Sequence, residues 1–313
     1  MSADPQHGPA GPHIKNLLRD RQLAPNKRFG QNFLVHRHTA ERIVELAGVT
    51  ERDTVVEIGV GLGALTIPLA ARAGKVIGLE IDAGLVRYHE EQRILPANVE
   101  LLHLDVLKAD LRDLAERCGG ELKIIANLPY SISTPLLFRL IDNHHLMAWG
   151  VLMLQKEVGR RLVARPSTKD YGVLAIQLAT CAATETLLEL GPNHFHPRPK
   201  VDSLVQRLIF RPVPEFVRAL PPFDRHIFKT VVRAAFQQRR KTLLNALAAS
   251  ALLGVDKTTL TTLLNRLDIP PASRAENLTV RQFIDLTNLI SQGAPPERIS
   301  TEITEDTERD NEI

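Results

Sequence analysis

The 313-residue chain has only two cysteines, Cys118 and Cys181, and neither a CxxC pair nor a Cys/His cluster. Such sparse cysteine fits reduced thiols in a cytoplasmic protein better than a disulfide scaffold, and no metal site is expected. There is no uninterrupted apolar run of about 18 residues, and the first residues lack the apolar block of a secretory signal, so neither membrane span nor export is expected. Internal repeats are absent as well. What is present is ordinary folding material, 44% hydrophobic and 24% charged, which excludes wholesale disorder and gives length for roughly two domains.

The net charge of +3 is unevenly spread. Residues 291–313 hold seven acids and two bases, so this tail carries −5 and the remaining 290 residues +8. Between Arg225 and Val255 there are six bases (Arg225, Lys229, Arg233, Arg239, Arg240, Lys241) and no acid. Such a run attracts a phosphate backbone, but a merely solvated helix face would carry it too, and charge alone leaves both readings open.

Residues 1–28 mix Gly, Pro, His and polar residues and read as a flexible arm with one short helix at Ile14–Arg21. Strand-like and helix-like runs then alternate. The strands are expected at Thr54–Ile58, Lys75–Ile81, Val99–Asp105, Lys123–Ala126, Gly150–Leu154, Leu187–Leu190 and Val201–Phe210. Helices are expected between them at His38–Ala47, Ala64–Ala73, Gly84–Gln92, Leu111–Arg117, Thr134–Asp142 and Glu157–Ala164. Continuous Val/Ile/Leu runs joined by crossover helices predict an α/β fold, a Rossmann-like doubly wound, mostly parallel sheet spanning 29–212. After Pro212, Pro214, Pro221 and Pro222 the pattern is helical throughout, which predicts a smaller all-helical domain over 213–291, with one long helix through the basic run. The acidic tail, 292–313, has too few apolar residues to pack.

The run from Val55 to Ala64 is a buried strand that ends in Gly59, Gly61 and Gly63 and opens a helix. Glycines there let the backbone turn sharply and approach a nucleotide under the positive end of the helix. Gly59-x-Gly61-x-x-Ala64 also satisfies a dinucleotide fingerprint, and Glu80, 17 residues past Gly63, can accept the ribose hydroxyls of any adenosine-containing cofactor. Asp105, at the third strand's end, can accept an adenine amine or simply cap the next helix.

The fourth strand breaks into Asn127-Leu128-Pro129-Tyr130. An exocyclic adenine amine is a poor nucleophile because its lone pair is drawn into the ring. Two acceptors aimed at its hydrogens, the Asn127 amide oxygen and a backbone carbonyl such as that of Leu128, would help it pyramidalise. Pro129 stiffens the loop, and Tyr130 offers a flat face for an extruded base. Asn-x-Pro is also common turn chemistry. The motif gains weight from its place at the end of a fourth strand whose three predecessors end in Gly59, Glu80 and Asp105.

With these blocks the sequence resembles the ribosomal RNA adenine dimethyltransferases, class I enzymes using S-adenosylmethionine. The resemblance runs from Asn26 to Leu289. It rests on Arg28–Leu34, Glu57–Thr66, Asn127–Tyr130, Gln155-Lys156-Glu157-Val158, Tyr171-Gly172, Phe195–Ser203 and Val232–Thr242. It implies S-adenosylmethionine binding by Asn32, Leu34, Gly59, Glu80, Asp105 and Asn127, with Phe195 facing the target base opposite Tyr130. Phe29 and Phe33 would help enclose the site, although Phe33 fits a core anchor equally well. Arg233, Arg239, Arg240 and Lys241 would hold RNA phosphates. The bacterial branch is the nearest in pattern, which implies dimethylation of two adjacent adenosines in the 3′-terminal hairpin of 16S rRNA, on rRNA or a small ribosomal subunit precursor, by a cytoplasmic monomer. Two departures stand out: Val60 replaces the family's usual Pro, and Ser273-Arg274-Ala275-Glu276 alters a block often written Arg-Pro-Glu.

Two rivals share parts of this pattern. A nicotinamide-dependent oxidoreductase would use the glycines and Glu80 but gives no reason for Asn-Leu-Pro-Tyr. An RNA-binding assembly factor without chemistry would keep the basic helices and lose the site.

Overall fold

In the computed structural model, residues 30–293 apart from Arg239 are described. The expected arm, with its helix at Ile14–Arg21, and Phe29, Arg239 and the tail beyond Gly293 lie outside the described residues. In chain order the strands are β1 (Phe33–Leu34), β2 (Thr54–Ile58), β3 (Lys75–Glu80), β4 (Val99–His103), β5 (Leu122–Asn127), β6 (Met147–Gln155), β7 (Ala183–Leu190), β8 (Phe195–His196) and β9 (Ser203–Ile209).

Val55, Val56, Glu57 and Ile58 are all buried, as befits a central strand covered on both faces. Seven strands form one sheet in the order β4-β3-β2-β5-β6-β9-β7, and β1 and β8 form a separate pair. From β4 to β6 all neighbours are parallel, while β9 is antiparallel to both β6 and β7. The chain winds outward through β2, β3 and β4, then returns to lay β5 on the other side of β2. That reversal opens a crevice at the carboxyl ends of β2 and β5.

Two of the crossover helices start at a side-chain cap. Asp82 accepts the Gly84 N–H ahead of the helix Ala83–Gln92, and Asp110 accepts the Arg112 and Asp113 N–H groups ahead of Leu111–Arg117. The helix expected over Ala64–Ala73 forms only at Thr66–Ala70, because the turns of the glycine loop run on past Gly63. The strand expected to reach Asp105 stops at His103. At the sheet's edge β7 is twice as long as the four residues expected, and its outer half carries the exposed polar residues Glu185 and Thr186 that shield an edge from pairing.

The chain divides into two units, and the division is not linear. The sheet unit comprises the described residues up to Leu162 together with Cys181–Pro214. The helical unit takes Val163–Thr180 as well as the chain from Glu215 onward, so a single boundary at 212/213 misassigns that inserted segment. Tyr171 is the reason. It is buried with Phe228, Val231, Leu247, Leu264 and Phe283, and its hydroxyl donates to the Leu278 carbonyl at 2.9 Å.

The helical unit is built on Arg225–Phe236, Leu243–Ala248, Lys257–Arg266 and Val280–Gly293. The single long helix expected through the basic run is instead two helices, one ending at Phe236 and the next starting at Leu243. Both cysteines are free thiols, Cys181 buried and Cys118 partly so. Among the described residues no helix is long and apolar enough to cross a membrane.

Candidate active site

The crevice at the sheet's switch point is lined by Gln31–Leu34, by Glu57–Leu62 from the end of β2 and its loop, and by Glu80, Ile81, Asp105, Val106, Leu107, Asn127 and Pro129. Four of these segments lie far apart in sequence and meet only because their strands end together.

Gly59 and Gly61 have φ of +79° and +57°, a left-handed backbone that favours glycine. A Cβ on Gly61 would also lie 3.3 Å from the Phe33 ring, so the loop closes directly against the N-terminal segment. The Gly61 peptide is gripped on both sides. Its N–H donates to Glu80 Oε2 at 2.8 Å, and its carbonyl faces His89 Nε2 at 2.8 Å. Val60, the departure from the family pattern, is buried against Gly78, where a Cβ would approach it to 2.5 Å.

Glu80 ends β3 with 4% of its surface exposed. Burial pushes its carboxyl above the usual range, opposed by N–H donors from Asp82 and Gly61. Deeper still, Glu57 is 1% exposed, and neither its carboxylate oxygens nor the Thr66 hydroxyl beside it makes a hydrogen bond of full geometry. Burial pushes the Glu57 carboxyl up to about 8, opposed by the neighbouring Thr66 hydroxyl and helped, by less, by the charge of Glu80. Asp105, two residues past β4, is half-buried on the crevice wall and accepts the Leu107 N–H at 2.9 Å, so it caps a turn and faces the crevice at once.

Asn127 is the last residue of β5. Its Nδ2 donates to the Asn32 carbonyl at 2.8 Å, which turns the amide oxygen away from that tether. The N-terminal segment is itself anchored, with Gln31 Nε2 donating to Asp82 at 3.0 Å and Asn32 Nδ2 to the Gly30 carbonyl at 3.2 Å. Leu34 is buried on the crevice wall. Leu128 is buried too and roots the loop, while the Pro129 carbonyl is taken up by Ile132 N–H and Ser133 Oγ in the next helix, Tyr130–Asp142.

Tyr130 and Phe195 stand outside this crevice. Tyr130 is half-buried, its hydroxyl 3.0 Å from Ser203 Oγ. Phe195 is paired with Leu34 in the β1–β8 ladder and is only 5% exposed, packed with Leu190 and Val205. Phe33 likewise is buried, against Leu62 and Leu85. Of the basic residues, Arg233 is exposed on its helix, and Arg240 and Lys241 are exposed in the turn after it. Sequence reasoning passed over Gln31, Asp82, His89 and Ser203, whose partners are remote in the chain. A buried acid ahead of the glycines was the available signal for Glu57.

The site suits an adenosine-type methyl donor. The carboxylates of Glu80 and Asp105, able to accept from hydroxyl or amine groups, share the crevice wall with the apolar side chains of Ile81, Val106 and Leu107. A dinucleotide fold would continue its sheet in parallel, whereas here antiparallel β9 is inserted between β6 and β7. Sheet order and site together define a class I methyltransferase.

Residues 23–292 match the family described as ribosomal RNA adenine dimethylase. The chain is 47% identical over 282 residues to ribosomal RNA small subunit methyltransferase A of Desulfotalea psychrophila, covering 88% of this chain and 94% of that one. The protein of the same description from Magnetococcus marinus is 44% identical over 275 residues, covering 88% and 95%. Among solved structures, a dimethyladenosine transferase from Plasmodium falciparum superposes with a TM-score of 0.68 at 26% identity, covering 83% of this chain and 98% of that one. The chain belongs to the ribosomal RNA adenine dimethylase family, and it is an adenine dimethyltransferase of ribosomal RNA whose methyl donor is S-adenosylmethionine.

Proposed function

We propose that the protein dimethylates N6 of two adjacent adenosines in the 3′-terminal hairpin of 16S rRNA, working as a cytoplasmic monomer on a small-subunit precursor. The relatives' description as small subunit methyltransferases supports the choice of subunit. The observation that carries the chemistry is the tethered Asn127 amide at the crevice edge.

Asn32, Leu34, Gly59, Glu80, Asp105 and Asn127 would hold S-adenosylmethionine. When bound, it supplies a methyl group already activated by a sulfonium. What the chain adds is alignment and electrostatics. With its NH2 committed to the Asn32 carbonyl, Asn127 presents Oδ1 to one amine hydrogen of the target base, and the Leu128 carbonyl serves the other. Those two acceptors favour the pyramidal nitrogen over the flat one. Tyr130 stacks on the extruded base. Phe195, paired with Leu34 and 5% exposed, is the second aromatic of this reading, facing the base opposite Tyr130. No general base is needed, because the alkylated amine is acidic enough to lose its proton to water. Arg233, Arg240 and Lys241 hold RNA phosphates, and Arg239 joins them by its place in sequence.

The test is mass analysis of small-subunit rRNA from cells whose only copy carries Asn127→Ala. Dimethyladenosine should disappear from the 3′ hairpin, and the purified variant, folded as the wild type by circular dichroism, should turn over about 10²- to 10³-fold more slowly. Near-normal dimethylation by a folded Asn127→Ala protein would refute the mechanism.

A further inference from the structure

Two blocks that stand out in the sequence, Gln155-Lys156-Glu157-Val158 and the run ending in Val201-Asp202-Ser203, have no task in the chemistry above. The fold brings them together. Gln155, the last residue of β6, stands opposite Ser203, the first of β9. Beside this pair the Lys156 N–H donates to the Asp202 carbonyl at 2.9 Å, and the Lys156 ammonium pairs with the Asp202 carboxylate at 3.2 Å and with Glu189. Because β9 runs antiparallel to β6, its first residue lies at the sheet edge where Asn127 ends β5. Ser203 is fully buried, and its hydroxyl meets that of Tyr130 at 3.0 Å.

A phenylalanine would offer a base the same flat face as Tyr130. The hydroxyl therefore needs its own account, and a buried hydroxyl partner fixed in a sheet supplies one. We propose that Ser203 is a positioning residue: held in place by the Lys156–Asp202 clamp, its hydroxyl pins the Tyr130 ring in the orientation on which the target adenine stacks. This rests on the reading of Tyr130 as the stacking face. An untethered ring at a helix start rotates among its rotamers, and that freedom must be given up each time a base enters. The tether removes this freedom before the RNA arrives.

The test uses full-length wild type, Ser203→Ala, Ser203→Thr, Tyr130→Phe and the Ser203→Ala/Tyr130→Phe double variant. Methylation of unmethylated small-subunit rRNA is followed at steady state, and S-adenosylmethionine binding by calorimetry. Ser203→Ala and Tyr130→Phe should each lower kcat/KM for RNA about 3- to 10-fold, the effect of losing one hydrogen bond. Donor affinity should stay within about twofold, Ser203→Thr should recover most of the loss, and the double variant should be no worse than Tyr130→Phe. The proposal fails if Ser203→Ala costs the same factor again in the Tyr130→Phe background, or if it weakens donor and RNA alike. Should Ser203→Ala not fold, unaltered kinetics in Tyr130→Phe overturn the proposal on their own. An inactive wild type would sink the functional reading as well, whereas an active wild type with an unaffected Ser203→Ala sinks only the positioning role.

Discussion

Two buried side chains set the electrical character of the crevice, and one of them makes the fold sensitive to pH. Glu57 has a folded value of about 8 against an ordinary 4.5, chiefly through burial. A carboxyl raised in this way holds its proton more tightly folded than unfolded. Its contribution to stability is thus complete below the unfolded value and is lost as pH rises through the folded one. At about 1.4 kcal/mol per unit this amounts to several kcal/mol between roughly pH 4.5 and pH 8. Glu57→Gln keeps the shape and removes the titration, so melting temperatures followed across that window should decline less steeply than for the wild type. Parallel curves would show that Glu57 is ionised throughout. At this scale the sequence was most legible where a residue ends a strand. Gly59, Glu80, Asp105 and Asn127 stand on or beside the crevice because the parallel strands bring their ends together. It was least legible where the partner is remote, as for His89 on Gly61 or Asn32 on Asn127, 95 residues apart. Phe195 was legible only as a family position, while its pairing with Leu34 across the β1–β8 ladder was not.

Between helices, the basic block shows why local pattern can mislead. Residues 228–250 combine good helix formers with an apolar period, and a continuous helix is the natural reading. The helix nevertheless stops at Phe236 and restarts at Leu243, whose N–H is satisfied by the Ser273 carbonyl at 2.7 Å instead of by a preceding turn. A tertiary hydrogen bond from the Ser273–Glu276 block overrides propensity there. The break bears on the proposed RNA contact. Arg240 and Lys241 project from a turn rather than lying along a helix face, and a turn can follow a bent phosphate backbone. Reversing both charges should weaken RNA binding and flatten its dependence on salt, because fewer counterions are released. Donor binding should not change. Binding titrations at several salt concentrations decide this, and an unaltered slope would move the RNA contact elsewhere.

For the molecule as a whole, the informative feature is that the helical unit is assembled from two separate stretches of chain. The alternation of strands and helices was readable because both faces of the sheet must be covered. The insertion at Val163–Thr180 was not, because its only regular element, Val173–Leu178, is six residues long and apolar enough to pass for sheet-covering material. Tyr171 identifies its true place. Burial pushes its phenol well above the ordinary value, and its proton goes to the Leu278 carbonyl, 107 residues away. Tyr171→Phe keeps the ring in the core with Phe228 and Phe283 but leaves that buried carbonyl without its donor, at a cost of about 1–3 kcal/mol. If the insertion belongs energetically to the helical unit, the cost should be local. Amide exchange should accelerate in Arg225–Phe236 and Val280–Gly293, which share this core, while the amides of β2 and β5 keep their wild-type rates. Equal acceleration in the central strands would mean that the two units unfold as one, and the division of the chain would then describe geometry without describing stability.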